Sequence, residues 1–236
     1  MMDHPVIVGT GLSSALGRAL VERIAPAWQV VALGRTPLEG PGMTWLSMDF
    51  RDSPEVWKPA MTTWLEREKP RVAAFVHGAG LVYSDHTEAT TADEWTSMLG
   101  VNLTSAFVLG KLLSPYFVEG ARVVLVGSVD ARYASSAGPA AGYGAAKAGL
   151  YGLVRHWAAE WGARSIRVNG VAPGALEEGS GPQSDSVRAA LEPRIALRRM
   201  GRADEVASVV AFLLSDESSY MTGCWIPVDG GLNLTY

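Results

Sequence analysis

The sequence predicts an α/β fold in one domain spanning residues 1–236, a doubly wound parallel sheet with helices on both faces. Three observations carry this. Short apolar runs alternate with segments whose apolar residues recur at helical spacing, the pattern of a parallel sheet covered on both sides. Glycine-rich turns close two of those runs, at residues 9–11 and 78–80, and ligands gather at the carboxyl ends of parallel strands. No repeat or linker interrupts the 236 residues, and 48% hydrophobic content suffices for one sizeable core.

Val6 to Val8 form the first strand, and after Gly9-Thr10-Gly11 a helix carries Ala15, Leu16, Ala19, Leu20, Val21 and Ile24. A glycine turn opening a helix after a strand brings backbone N–H groups and the positive helix end to a pyrophosphate. Thr10, Gly11, Leu12, Ser13, Ser14, Leu16 and Gly17 are therefore candidate cofactor contacts. The second strand, Gln29 to Leu33, ends in Gly34-Arg35, where a cofactor lacking a 2′-phosphate would want an acid for its ribose hydroxyls. Glycine leaves room for that phosphate and the guanidinium pairs with it, so NADP(H) is expected over NAD(H). Arg18 extends the same positive patch.

Met43 to Met48 read as a third strand, with Asp49 and Phe50 after it at the adenine end of the site. A helix over Glu55–Glu68 leads to a fourth strand, Val72 to Val76, and the second turn, His77-Gly78-Ala79-Gly80. Thr91 to Glu94 start a long, mostly buried helix whose apolar face is interrupted by Asn102, either a structural bridge or part of the site. The fifth strand, Ala121 to Val126, aims Ser128 at the cleft.

A small-residue loop then enters a helix reaching about Trp161, on which Tyr143 and Lys147 stand four residues apart and share a face. A nearby cation favours a phenolate, which makes Tyr143 an acid/base candidate. The sixth strand, Ile166 to Val171, ends at Pro173-Gly174. Residues 175–197 are expected to form a mobile substrate loop able to exclude water. A last helix from Arg202 through Leu214 and a final strand ending at Val228 complete the chain.

A formal net charge of -4 with 19% charged residues offers no electrostatic footprint for nucleic acid or anionic membrane. No basic leader or apolar run of about 20 residues is seen, so a cytoplasmic protein without a membrane span is expected. Cys224 is the single cysteine and the four histidines lack ligand spacing, so neither a disulfide nor a metal is expected.

Taken together, Thr10-Gly11 with Gly17, Asp49, Ala79-Gly80, Asn102, Ser128, Tyr143 with Lys147, Asn169 with Pro173-Gly174, and the tail from Tyr220 to Gly231 resemble the short-chain dehydrogenase/reductase family, in its 3-oxoacyl-ACP-reductase-like branch. The resemblance covers essentially the whole chain. It implies a single Rossmann-type domain moving a hydride between a nicotinamide cofactor and a carbonyl or alcohol carbon. It also implies Tyr143 as proton donor, Ser128 as orienting partner of the carbonyl oxygen, Lys147 as the cation on nicotinamide ribose, and Asn102 as holder of a relay water. Cofactor contacts are then expected from Gly34, Arg35, Asp49, Phe50, Gly78, Ala79, Gly80, Tyr143, Lys147, Pro173, Gly174 and Leu176 as well. The partners implied are a small carbonyl or alcohol substrate and further copies of the chain, as a tetramer or dimer.

The departures from the family pattern are Ala15 for the middle glycine, His77-Gly78 for an Asn-Asn pair, and Glu178 where a threonine is common. The interval from Ser128 to Tyr143 is also long for the family, which leaves Ser135 and Ser136 as minor alternatives. The rival reading is a non-catalytic dinucleotide-binding redox sensor or scaffold. A 3-oxoacyl thioester, a steroid-like ketone, a sugar and a quinone all remain open as substrates.

Overall fold

In the computed structural model, which describes residues 5–83, 86–133, 138, 140–178 and 184–234, seven parallel strands form one sheet. They are β1 (Val6–Thr10), β2 (Gln29–Gly34), β3 (Met43–Ser47), β4 (Val72–His77), β5 (Phe117–Val126), β6 (Arg167–Pro173) and β7 (Trp225–Val228), in the order β3-β2-β1-β4-β5-β6-β7. The order reverses between β1 and β4, and at such a switch point the connections leave to opposite faces and open a crevice above the carboxyl ends.

Two apolar layers sandwich the sheet. On one face lie α1 (Ala15–Ile24) and α7 (Ala203–Leu214), burying Leu20, Val21 and Ile24 against Val206, Val210 and Leu213. On the other lie α2 (Pro54–Glu68), the α3 (Ala92–Leu99) and α4 (Ser105–Leu113) pair, and α5 (Ala141–Trp161), with Met61, Leu109, Leu150 and Trp157 in one cluster. β1 and β4 are buried along their whole length, as strands covered on both faces must be.

Local chemistry sets the helix ends. The Ser14 hydroxyl accepts from Gly17 N at 3.1 Å, and Thr91 accepts from Glu94 N at 3.2 Å while the Glu94 carboxylate accepts from Thr91 N at 2.8 Å. Between α3 and α4 the helix continues through a π turn, Gly100–Thr104, which widens it at Asn102.

The helical run Ala92–Tyr116 corrects one expectation. It is 25 residues long and holds an 18-residue window of mean hydropathy 1.3, long and apolar enough by length and composition to cross a membrane, although no such run was expected. Here its apolar stripe, Met98, Val101, Ala106, Leu109 and Leu113, is buried in the domain.

Residues 175–178 and 184–197 are more structured than the loop expected over 175–197. Leu176 bridges to Gly201, Glu177 N donates to Gly201 O at 2.9 Å, and α6 (Asp185–Leu191) follows, capped by Ser184.

Candidate active site

A cleft of about 590 Å³ runs above the carboxyl ends of the strands, from Arg35 and Asp49 at one end to Asp130, Val187 and Leu232 at the other. Its volume suits an extended ligand. Gly11, Ser13, Ser14, Leu16, Gly34, Arg35, Asp49, Phe50, Gly78, Ala79, Gly80, Tyr143, Lys147, Pro173, Gly174 and Leu176 line it, as does Ser128.

Thr10, Leu12 and Gly17 stand behind the wall instead. The buried Thr10 hydroxyl accepts from Gly78 N at 3.1 Å and Ala79 N at 3.0 Å, so it ties the two glycine turns together. Leu12 fills the space beside Gly9 and joins the core under α1. A Cβ on Gly17 would sit 2.3 Å from Gly11 O and Leu12 Cα, so Gly17 lets α1 meet the first turn. Gly11 has φ 70, and a Cβ there would lie 2.3 Å from Gly78 O. Only glycine allows this approach of the two turns. Ala15 lines the cleft, so its methyl group is accommodated in the wall.

At the far end, a Cβ on Gly34 would meet nothing within 4 Å, and Arg35 is exposed beside that space. Arg51, which the sequence did not single out, lines the same end and grips Asp49, its Nε donating to both carboxylate oxygens at 3.0 Å. This hydrogen bonding, with the charges of Arg51 and Arg35, holds the Asp49 carboxyl below its ordinary range. Arg18 donates its Nε to Ser13 O at 3.0 Å and is exposed.

The other end gathers the chemistry. Ser128 stands two residues past the end of β5 and is buried, and its Oγ accepts from Asp130 N at 3.1 Å. Tyr143 and Lys147 come from the first two turns of α5, and the Lys147 ammonium lies 5.6 Å from the Tyr143 ring centroid. Lys147 is 3% exposed and donates to Val126 O at 2.9 Å.

Burial dominates both groups. It pushes the Tyr143 phenol up to about 12, with hydrogen bonding to Ser128 opposing and the Asp130 charge adding. It pulls the Lys147 ammonium down to about 7. The expected lowering of the Tyr143 pKa by Lys147 is therefore not what this arrangement gives: desolvation dominates, Lys147 stands 5.6 Å from the ring centroid, and one of its three N–H groups is committed to a carbonyl.

Asn102 lies outside the cleft wall. Its amide donates to Leu81 O at 2.7 Å and Met98 O at 2.9 Å and accepts from Leu81 N at 3.3 Å, so the side chain anchors the loop leaving the second turn. A Cβ on Gly80 would lie 3.7 Å from Asn102 Oδ1 and 4.0 Å from Lys147 Nζ, which brings both close to Gly80 in the wall. His77 is wholly buried, with Nε2 2.8 Å from Ser105 Oγ. Ser105 gives its one proton to Val101 O at 2.7 Å, so Nε2 is the donor, and among the described residues Nδ1 has no partner. Burial, then the charge of Lys147, lowers the His77 pKa to about 3.

Glu178 lines the cleft, but its carboxylate accepts from Ala203 N at 2.9 Å at the start of α7. That use explains an acid there: it meets an N–H group at a positive helix end. Arg132 lies over the Tyr151 ring at 5.6 Å, and Tyr151 stacks on Trp225 at 3.9 Å, so Arg132 is turned from the cleft. Ser135 and Ser136 lie outside the described residues. Among the described residues no group of three His, Cys, Asp or Glu side chains could hold a metal.

Residues 38–233 match a family model described as enoyl-(acyl carrier protein) reductase. The chain belongs to the short-chain dehydrogenase/reductase family. Levodione reductase of Leifsonia aquatica is 34% identical over 254 residues, covering 98% of this chain and 95% of that protein. The 3-oxoacyl-(acyl-carrier-protein) reductase of Salmonella typhimurium is 32% identical over 243 residues, covering 98% of each. The solved aldohexose dehydrogenase of Thermoplasma acidophilum superposes with a TM-score of 0.87 at 26% identity, covering 99% of this chain and 95% of that one. The protein is accordingly an oxidoreductase enzyme of this family, with its α/β fold.

Proposed function

We propose that the protein is an NADP(H)-dependent oxidoreductase interconverting a carbonyl and a secondary alcohol through Ser128, Tyr143, Lys147 and Asn102. The observation that carries this is the convergence of Ser128, Tyr143 and Lys147 on the cleft whose other end holds the glycine turns and Arg35. The residues fit the cofactor: an extended cleft, two glycine turns touching at Gly11 and Gly78, and open space beside an exposed Arg35 for a 2′-phosphate. When bound, NADPH supplies the hydride that reduces the carbonyl carbon.

The chain's own residues handle the oxygen. Charge developing on it is met by hydrogen bonds from Ser128 and Tyr143, and Tyr143 gives up its proton to complete the alcohol. Lys147 balances the resulting phenolate, while Asn102 fixes Leu81 beside it and so holds the wall. Arg51, clamped to Asp49, adds a second cation at the phosphate end.

The direct test is Tyr143→Phe. It is expected to lower kcat by about 10²–10⁴-fold while leaving NADPH binding unchanged. Undiminished turnover would remove Tyr143 as the proton donor.

A homo-oligomer is part of this proposal. Trp95 on α3 is 43% exposed and Phe107 on α4 is 48% exposed, which leaves apolar side chains for a second copy. Light scattering on Trp95→Glu/Phe107→Glu protein should then report a smaller assembly than wild type.

A further inference from the structure

Asp130 is the cleft residue that this chemistry leaves unexplained. It sits in the 3-10 turn Val129–Ala131 directly after Ser128, is half-buried and lines the cleft at its substrate end. The turn is held firmly: Ala131 N donates to Ser128 O at 3.2 Å, and Gly144 of α5 packs so closely that a Cβ there would lie 3.1 Å from Asp130 O. Asp130 therefore stays beside the serine hydroxyl expected to meet the reacting oxygen.

Among the described residues the carboxylate lacks a countercharge: no Lys or Arg makes an ion pair with Asp130. Lys147 donates to Val126 O, and Arg132, the one charged residue of 131–142, is stacked on Tyr151. Desolvation raises the Asp130 pKa, with hydrogen bonding to Ser128 opposing, and no cation enters the balance. The cleft that Asp130 lines is apolar at Leu81, Val82, Ala140, Val187, Leu191 and Leu232, and the polar groups beside Asp130 are the neutral Ser128 hydroxyl and Tyr143 phenol. A half-buried carboxylate in such a setting is complementary to a cation brought by the ligand.

We propose that Asp130 is a specificity-determining residue that seats an ammonium group on the carbon next to the reacting one, so that vicinal amino alcohols and amino ketones are the favoured substrates. The inference rests on the oxidoreductase reading above. It also gives Ser128 a role coupled to the substrate. A serine hydroxyl has a single proton, and the Asp130 carboxylate competes for it. An ammonium that engages Asp130 leaves that proton free for the carbonyl oxygen, so a substrate with both groups arms the serine.

The test compares three secondary alcohols of nearly equal size, phenylethanolamine, styrene glycol and α-ethylbenzyl alcohol, oxidised with NADP⁺ at about pH 8, where a primary ammonium keeps its proton. Wild-type enzyme is expected to favour phenylethanolamine over α-ethylbenzyl alcohol by about tenfold or more in kcat/KM. Asp130→Asn should lose that preference while oxidising α-ethylbenzyl alcohol at least as well as wild type, whereas a merely structural role would lower all three together. Equal wild-type rates on the three alcohols, or a preference surviving in Asp130→Asn, overturns the proposal, and styrene glycol equal to phenylethanolamine overturns the requirement for charge. If no alcohol is oxidised, the three are titrated into Tyr143→Phe protein with NADP⁺, following tryptophan fluorescence. Tighter binding of phenylethanolamine that Asp130→Asn abolishes then upholds Asp130 while the redox reading fails, and equal or undetectable binding of all three overturns Asp130 as well.

Discussion

Burial moves Tyr143 and Lys147 in opposite directions, to about 12 and about 7, so a neutral phenol stands beside an amine that titrates near neutrality. For Lys147 the unfolded chain holds its proton up to about 10.5 and the folded one only to about 7. Between those values the unfolded state binds more protons, so stability rises with pH across that window. Thermal melts of cofactor-free protein should show the rise, and Lys147→Met should flatten it. His77 obeys the same sign lower down: folded near 3 against an ordinary 6.5, it makes stability fall as pH drops through that interval. His77→Asn is expected to shift the acid-unfolding midpoint to lower pH, and an unchanged midpoint would mean that another group governs acid unfolding. Ser128, Tyr143 and Lys147 were legible in the sequence because spacing on a strand end and a helix face is a local property. Asp130 and Arg51 were not, since a lone loop charge has no periodic signature and its direction depends on the fold.

Among the elements, the contact of α1 with the first glycine turn bears most on the cofactor end. The approach at Gly17 involves backbone atoms, which cannot rotate away as a side chain could. Gly17→Ala is expected to cost about 1–3 kcal/mol in chemical denaturation and to weaken NADPH binding, because α1 must shift from the turn. Wild-type stability and binding in that variant would show that the contact relaxes freely. The strands and most helices were readable from apolar periodicity, with ends a few residues out. The π turn at Gly100–Thr104 was not, because its residues continue the apolar pattern of the helices beside it. Helix α6 was also missed, since the Gly/Ser/Pro-rich stretch before it masked a short segment that Ser184 caps.

At the scale of the whole molecule, the reversal of strand order between β1 and β4 brings distant stretches together. Thr10 and Gly78, 68 residues apart, share a hydrogen bond of 3.1 Å, and the cleft forms above them. Alternating strands and helices made the sheet legible, and the two glycine turns made its ligand-bearing edge legible. What stayed hidden was which wall residues face inward: Thr10, Leu12, Gly17 and Asn102 support the cleft from behind. The proposed activity depends on the whole cleft taking NADP(H), and the most direct measurement is a parallel titration of NADPH and NADH, followed by nicotinamide fluorescence, into wild-type and Arg35→Ala protein. The expected result is tighter binding of NADPH by wild type, with the preference lost in Arg35→Ala. Binding of neither nucleotide would contradict the account.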